Sequence, residues 1–155
     1  MKIVVSPNPY RDKQFKNARQ ACSILREAGA EVALCLPFDV DKTFEIPHDL
    51  RFQDVQKEIK MADMLICFGG DGTILHSSKI ATEHNLPILG VNIGTMGFIA
   101  ELEAGEIELL RKIPKGDYTV EERTMLDVSV GNGRQTLFHE TALNDAVITK
   151  GAIAR

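Results

Sequence analysis

The clearest indication of the fold is the run Met64-Leu65-Ile66-Cys67-Phe68-Gly69-Gly70-Asp71-Gly72-Thr73. Its first five residues are all apolar, as is typical of a strand covered on both faces, and the glycines end that strand abruptly. Ile74, Leu75, Ser78 and Ala81 follow at helical spacing. The stretch therefore predicts a buried parallel strand that leads through a glycine turn into a helix.

Similar strand and helix patterns lie on both sides of this stretch. Ile3-Val4-Val5 and residues 31–36 predict two earlier strands, joined by a helix for which Asp12 is the expected N-cap. Residues 87–93 predict the next strand, which also ends at a glycine turn, Gly94-Thr95-Met96-Gly97. Repeated units of this kind predict an α/β fold with a doubly wound, mostly parallel, Rossmann-like sheet. Ligands of such sheets bind beyond the carboxyl ends of the strands, where both glycine turns lie.

The last third of the chain has a different pattern. Residues 118–130 alternate in places between apolar and polar, Gly131-Asn132-Gly133 predicts a hairpin turn, and residues 136–149 resume a strand-like pattern. We therefore expect an α/β domain over residues 1–115. Residues 116–155 are expected to begin an antiparallel, β-rich second domain that this chain does not complete.

Composition and charge limit the classes of function. The 155 residues are 44% hydrophobic and 26% charged, and 18 Lys and Arg against 22 Asp and Glu give a net charge of −4. This balance disfavours broad electrostatic binding, so we expect neither nucleic acid nor a membrane as partner. No apolar run approaches the roughly 20 residues that a transmembrane helix needs. Cys22, Cys35 and Cys67 lie in apolar stretches without metal-ligand spacing, which predicts buried free thiols, no metal site and a cytoplasmic protein.

The Gly-Gly-Asp-Gly-Thr turn supplies the candidate catalytic residues. Glycine lets a ligand approach the backbone closely, and amides at a helix N-terminus suit a phosphate, so Gly70, Gly72 and Thr73 are candidate phosphate-binding residues. Asp71 would place a fixed carboxylate beside that phosphate, able to accept a proton from an attacking hydroxyl or to help hold Mg²⁺. The pattern is neither a P-loop nor a dinucleotide fingerprint. A tight turn with a capping aspartate is the alternative interpretation.

Three segments together resemble the NAD kinase family. Gly69-Gly70-Asp71-Gly72-Thr73 is similar to a signature that NAD kinases share with diacylglycerol and sphingosine kinases and, more loosely, with 6-phosphofructokinases. The segment LGVNIGTMGFI at residues 89–99 resembles the G-x-N-x-G-x-x-G-F segment of NAD kinases, and ALNDAVI at residues 142–148 resembles their L-N-E/D segment. A lipid kinase, the alternative, would be expected to have a Gly-Thr-Gly-Asn-Asp-like turn after the fourth strand.

The resemblance implies transfer of the γ-phosphoryl group of ATP, or of polyphosphate, to the 2′-hydroxyl of the adenosine ribose of NAD. It implies Mg²⁺ or another divalent cation as cofactor with ATP, and a homo-oligomer, either dimer or tetramer, for the full-length protein. Asp71 is implied as the catalytic residue, which aligns that hydroxyl and accepts its proton. The glycine-rich segments of the family's second domain are not in this sequence, so a nucleotide-binding fragment without turnover is a further alternative.

The resemblance also implies a set of NAD-binding residues: Asp71, Gly72, His76, Phe98, Asn144, Asp145 and Arg155. Asn144 and Asp145 match the pair that binds NAD, although a turn or β-bulge would also explain them. Phe98 would offer a ring face to the adenine unless it packs in the core. His76 could reach the pyrophosphate or ribose unless it faces solvent, and Arg155 matches a basic position near the ligand unless it is simply a frayed end.

Overall fold

The computed structural model describes residues 1–41, 43–94 and 97–149. The chain divides into two compact units, Met1–Val120 and Glu121–Arg155. The strands are β1 (Lys2–Pro7), β2 (Glu31–Leu34), β3 (Met64–Gly69), β4 (Ile88–Asn92), β5 (Leu102–Glu103), β6 (Leu126–Gly131) and β7 (Thr136–Ala142). The α-helices are α1 (Lys16–Glu27), α2 (Val55–Glu58) and α3 (Asp71–Glu83), and 3₁₀ helices span Lys13–Phe15, Ile59–Met61 and Ala104–Lys115. Among these helices, none combines the length and hydrophobicity that crossing a membrane requires.

The sheet of the first unit is parallel throughout the described residues, in the order β2-β1-β3-β4-β5. Successive residues of a strand point to opposite faces, and the central strands are apolar on both. On one face Ile3 and Ile66 pack with α1 and the 3₁₀ helix Ala104–Lys115. On the other, Val4 and Leu65 pack with Ile59 and with α3. This arrangement confirms the predicted doubly wound α/β fold.

The start of α1 depends on a buried carboxylate. Asp12 has 0% exposure, and its oxygens accept hydrogen bonds from the backbone N–H groups of Asn17 at 3.0 Å and Ala18 at 2.9 Å. The prediction that Asp12 is the N-cap was wrong in position, because the helix begins at Lys16 and Phe15 is its N-cap. The Asp12 carboxylate nevertheless supplies the acceptors for the first-turn amides, as a capping side chain would. Two of the three residues between Asp12 and Lys16, Gln14 and Phe15, have φ values of +53° and +57°, a region that residues other than glycine rarely adopt.

The second unit contains an antiparallel hairpin of β6 and β7, as the alternating pattern predicts. Strand β7 ends at Ala142, so the prediction of a strand extending to residue 149 was wrong. After Leu143 come Asn144 and Asp145, two residue types depleted in strands. Val147 and Ile148 are 73% and 99% exposed, so no described strand covers them.

The three cysteines are buried and free, as their apolar surroundings predict. Burial raises the pKa of the Cys22 thiol to about 11 and the pKa values of Cys35 and Cys67 to about 12. The thiolate is the reactive form, so these groups stay neutral and unreactive at pH 8. We expect Ellman's reagent to label the native protein at pH 8 far more slowly than the guanidinium-unfolded protein, with glutathione as the reference. Rapid labelling of a native thiol would contradict this.

Candidate functional site

An open cleft of about 350 Å³ lies beyond the carboxyl ends of the strands in the first unit, where doubly wound sheets bind ligands. The loops that follow β1, β2, β3 and β4 all contribute to it. Glycines form much of its floor, so backbone is accessible there. The residues that line it are Asn8, Arg11, Phe38, Gly69, Gly70, Asp71, Gly72, Thr73, Ile93, Gly94 and Gly97.

Asp71 is the first residue of α3, and the turn after β4 holds its side chain. Oδ2 accepts a hydrogen bond from the backbone N–H of Phe98 at 3.1 Å, and Oδ1 accepts one from Ile99 at 3.2 Å. A Cβ on Gly97 would collide with this carboxylate, so glycine is required for the turn to approach it. An ionised carboxylate has about four acceptor positions, and the two amides occupy only two of them. Asp71 is thus oriented while keeping acceptor capacity toward the cleft.

The backbone amides at the start of α3 differ in availability. Gly70 is the N-cap, and the helix's first backbone hydrogen bond is donated by Thr73 to the Gly70 carbonyl at 2.9 Å. The amides of Asp71 and Gly72 precede that bond and have no intrahelical acceptor. The expectation that the Thr73 amide is free for a phosphate was therefore wrong. Thr73 does line the cleft, and its Oγ1 accepts a 2.9 Å hydrogen bond from the Asn8 amide.

Three of the lining residues were missed at the level of sequence: Asn8, Arg11 and Phe38. Strands β1 and β3 are parallel neighbours, with Pro7 paired to Phe68, so the loop after β1 lies beside the glycine turn. The dipeptide Asn8-Pro9 is typical of a turn and does not by itself indicate a ligand site. No local pattern distinguishes Arg11 or Phe38 from other loop residues, and only the strand order brings them to the cleft.

Two further predicted residues take different positions. The Phe98 side chain is 94% exposed, which excludes the core-packing alternative. Its backbone N–H contacts Asp71, but Phe98 is not among the residues that line the cleft, so stacking of its ring on adenine stays a prediction. His76 does not line the cleft. Its Nε2 lies 3.0 Å from the Pro37 carbonyl oxygen and its ring meets Phe38 edge-on, with centroids 5.7 Å apart. His76 therefore supports a wall of the cleft, and direct contact with NAD stays a prediction. Thr95, Met96 and Arg155 lie outside the described residues.

Asn144 and Asp145 lie in the second unit, just after β7. Both side chains are exposed, and the Asn144 amide donates a 3.4 Å hydrogen bond to Oδ1 of Asp145. An amide and a carboxylate therefore stand side by side, open to solvent. This placement is compatible with a binding pair and with the turn alternative, so their role stays a prediction.

Comparisons with known proteins point to one family. The family model "ATP-NAD kinase N-terminal domain" matches residues 2–118. The NAD kinase of Acetivibrio thermocellus is 31% identical over 159 residues, with 100% of this chain and 53% of that protein covered. The NAD kinase of Caldanaerobacter subterraneus is 34% identical, with 99% and 53% covered. A crystal structure of yeast NADH kinase complexed with NADH has a TM-score of 0.65 at 19% identity, over 92% of this chain and 46% of that one, which supports the fold. The chain spans about half the length of the curated relatives it matches.

Proposed function

Because the chain belongs to the NAD kinase family, we propose that it provides the catalytic aspartate and the phosphate-side cleft of an NAD kinase. In this reaction the γ-phosphoryl group of ATP passes to the 2′-hydroxyl of the adenosine ribose of NAD, which gives NADP. The observation on which the proposal rests is the Asp71 carboxylate, held by two backbone amides at the N-terminus of α3 inside the cleft. A capping aspartate alone would not need a glycine at position 97 to make room for it.

Asp71 acts mainly by positioning in this mechanism. Phosphoryl transfer depends on the alignment of the attacking oxygen and on neutralisation of phosphate charge, more than on covalent chemistry by the protein. The acceptor positions of Asp71 that the amides leave open would receive the proton of the 2′-hydroxyl. The free amides of Asp71 and Gly72, at the positive end of the α3 dipole, would hold an oxygen of the transferring phosphate.

A divalent cation fits this site only in association with the phosphates. Among the described residues, no group of three or more His, Cys, Asp or Glu could hold a metal ion. Mg²⁺ in kinases commonly takes one or two carboxylates, several waters and substrate phosphates, so Asp71 suffices as the protein ligand. When bound, the ion would neutralise phosphate charge and support the leaving group. The remaining task of the chain is to orient both substrates around Asp71.

We expect NADP formation by the whole protein with NAD and either ATP or polyphosphate. Reactions without a phosphoryl donor are the negative control. Reactions with NADH in place of NAD measure which form of the acceptor the protein prefers. Absence of NADP with every donor, together with phosphorylation of diacylglycerol or sphingosine, would replace this function by that of a lipid kinase. Absence of any turnover, with nucleotide still bound, would leave a binding module.

Assembly and location belong to the same proposal. The whole protein is proposed to form a homo-oligomer, either dimer or tetramer, which sedimentation velocity would measure. The three buried, unpaired cysteines support a reducing compartment, and we propose the cytoplasm.

Asn144 and Asp145 are proposed to bind the nucleoside part of NAD. Replacing either by alanine removes hydrogen bonds whose loss leaves a buried partner unsatisfied, at a cost of about 1–3 kcal/mol for a neutral group. We therefore expect Asn144→Ala and Asp145→Ala to raise KM for NAD by about 10-fold or more, with little change in KM for ATP. Steady-state kinetics and isothermal titration of NAD would measure both effects.

Glu122→Ala is the matched control, because Glu122 is an exposed carboxylate of the same unit. It should leave both KM values unchanged. Unaltered NAD affinity in both the Asn144 and the Asp145 variant would exclude the pair from the NAD site and would leave the turn alternative as their explanation.

A further inference from the structure

Arg11 is the only cation among the described residues that line the cleft. It lies in the loop after β1, and its side chain is exposed. A Cβ built on Gly94 would lie 3.9 Å from Nη1 of Arg11, so the guanidinium reaches the turn after β4. No hydrogen bond or ion pair among the described residues engages the guanidinium. Its donors are therefore available to a ligand in the cleft.

Arg11 and Asp71 approach the same turn from its two ends. The guanidinium lies near Gly94, and the carboxylate lies against Gly97. The two glycines are three residues apart, so their Cα atoms are separated by at most about 11 Å. A phosphate chain bound in the cleft can have one end at Asp71 and another group beside Arg11.

The loop that bears Arg11 is held against β3 and the start of α3 by hydrogen bonds of Asn8. The Asn8 amide nitrogen donates to Thr73 Oγ1 at 2.9 Å, and its backbone N–H donates to the Phe68 carbonyl at 2.7 Å. The Asn8 carbonyl in turn accepts the backbone N–H of Arg11 at 3.1 Å, and its side-chain Oδ1 accepts that of Tyr10 at 3.0 Å. These bonds place the backbone of Arg11 at a defined position relative to the start of α3.

We propose that Arg11 binds the phosphate chain of the phosphoryl donor, an inference that rests on the proposed kinase function. A cleft with Asp71 as its only charge would repel a polyanion, and a guanidinium offsets that charge. Arginine also presents paired N–H donors that match phosphate oxygens, whereas backbone amides supply only single donors. The acceptor NAD carries less phosphate charge than a triphosphate, so the donor gains more from this contact.

Two kinds of phosphoryl donor would present the same phosphate groups to Arg11, a nucleoside triphosphate and inorganic polyphosphate. Phe38 lines the same cleft, and its ring is held by stacking on Tyr10, with centroids 6.2 Å apart and planes 8° apart, and by the edge of His76. An aromatic face held in this way suits stacking of a nucleobase. A variant of Phe38 therefore distinguishes a donor that carries a nucleobase from one that does not.

The test compares Arg11→Gln and Arg11→Lys in the whole protein, with Arg51→Gln as matched control. Arg51 is exposed and does not line the cleft. We expect Arg11→Gln to raise KM for ATP and for tripolyphosphate by about 10-fold or more, the scale of a lost charge-assisted hydrogen bond, with KM for NAD within about 2-fold. The donor KM of Arg11→Lys should lie between the values of wild type and Arg11→Gln. Because salt screens the charge of Arg11, added KCl should raise the donor KM more in wild type than in Arg11→Gln.

A Phe38→Leu variant should raise KM for ATP by several-fold and leave KM for tripolyphosphate unchanged. An equal response of both donors would overturn the base contact. If wild type is fully active and both Arg11 variants keep the wild-type KM for the donor, the proposed role of Arg11 is overturned but the kinase function stands. If these variants instead raise the KM for NAD, Arg11 binds the acceptor and the proposed donor contact is overturned. Failure of wild type to form NADP would contradict the proposed function itself, so the two failures are distinguishable.

Discussion

Replacing Asp71 by asparagine is expected to lower kcat for NADP formation by about 100-fold or more, the scale of lost acid–base catalysis, while the affinity for NAD changes little. Asparagine has nearly the same shape but carries no charge and cannot accept a proton. Each Asp71 oxygen now accepts one backbone N–H, from Phe98 and from Ile99. Asparagine can accept only one of these, because its NH₂ group would face the other N–H. Initial rates with saturating NAD and ATP would measure the effect.

Loss of charge and loosening of the turn must be separated in this experiment. Isothermal titration of NAD and the melting temperature report the integrity of the site in Asp71→Asn. Asp117→Asn removes an exposed carboxylate outside the cleft and should leave kcat unchanged. Near-normal turnover of Asp71→Asn would exclude Asp71 from the reaction. A 100-fold loss with normal NAD affinity and an unchanged melting temperature would assign the loss to the carboxylate.

Sequence patterns predict elements whose signal is local. The apolar run before Gly69 and the periodic helix after it define β3 and α3, because a strand buried on both faces needs such a run and a helix needs its spacing. Strand β5, Leu102–Glu103, is too short to leave a pattern. Strand β7 stops at Ala142 because the residues that follow it favour turns over pairing, although Val147 and Ile148 continue its apolar character.

The candidate site was predictable where one segment forms it and not where several loops converge. Asp71 and Gly72 belong to a single turn, so the sequence identified them. Arg11 and Phe38 come from separate loops that only the order β2-β1-β3-β4 brings together. For His76 the sequence did contain a usable signal. Five residues along an α-helix rotate a side chain by about 500°, that is about 140° away from Asp71, which agrees with its absence from the cleft lining.

Asp12→Ala is expected to have the largest effect on stability. The carboxylate is completely buried and accepts hydrogen bonds from two backbone N–H groups and the side-chain amide of Asn17. Alanine would remove the acceptors of the first turn of α1 and leave the buried Ala18 N–H and the half-buried donors of Asn17 unpaired, beside two residues with positive φ, Gln14 and Phe15. We expect the free energy of unfolding to fall by about 3 kcal/mol or more, above the usual cost of a lost cap. Urea denaturation followed by circular dichroism would measure it.

Asp54→Ala is the comparison for Asp12→Ala, because Asp54 is a half-exposed N-cap that accepts a hydrogen bond from Gln56 N–H. Its loss should cost about 1 kcal/mol, and equal losses in the two variants would contradict the importance of burial at Asp12. Asp12→Asn keeps one acceptor oxygen, so its loss of unfolding free energy should lie between the losses of Asp12→Ala and Asp54→Ala. Arg11 immediately precedes Asp12, so folded Asp12→Ala protein should also have a raised KM for ATP with an unchanged KM for NAD. If the KM for ATP stays normal while stability falls, the cap of α1 stabilises the fold without positioning Arg11.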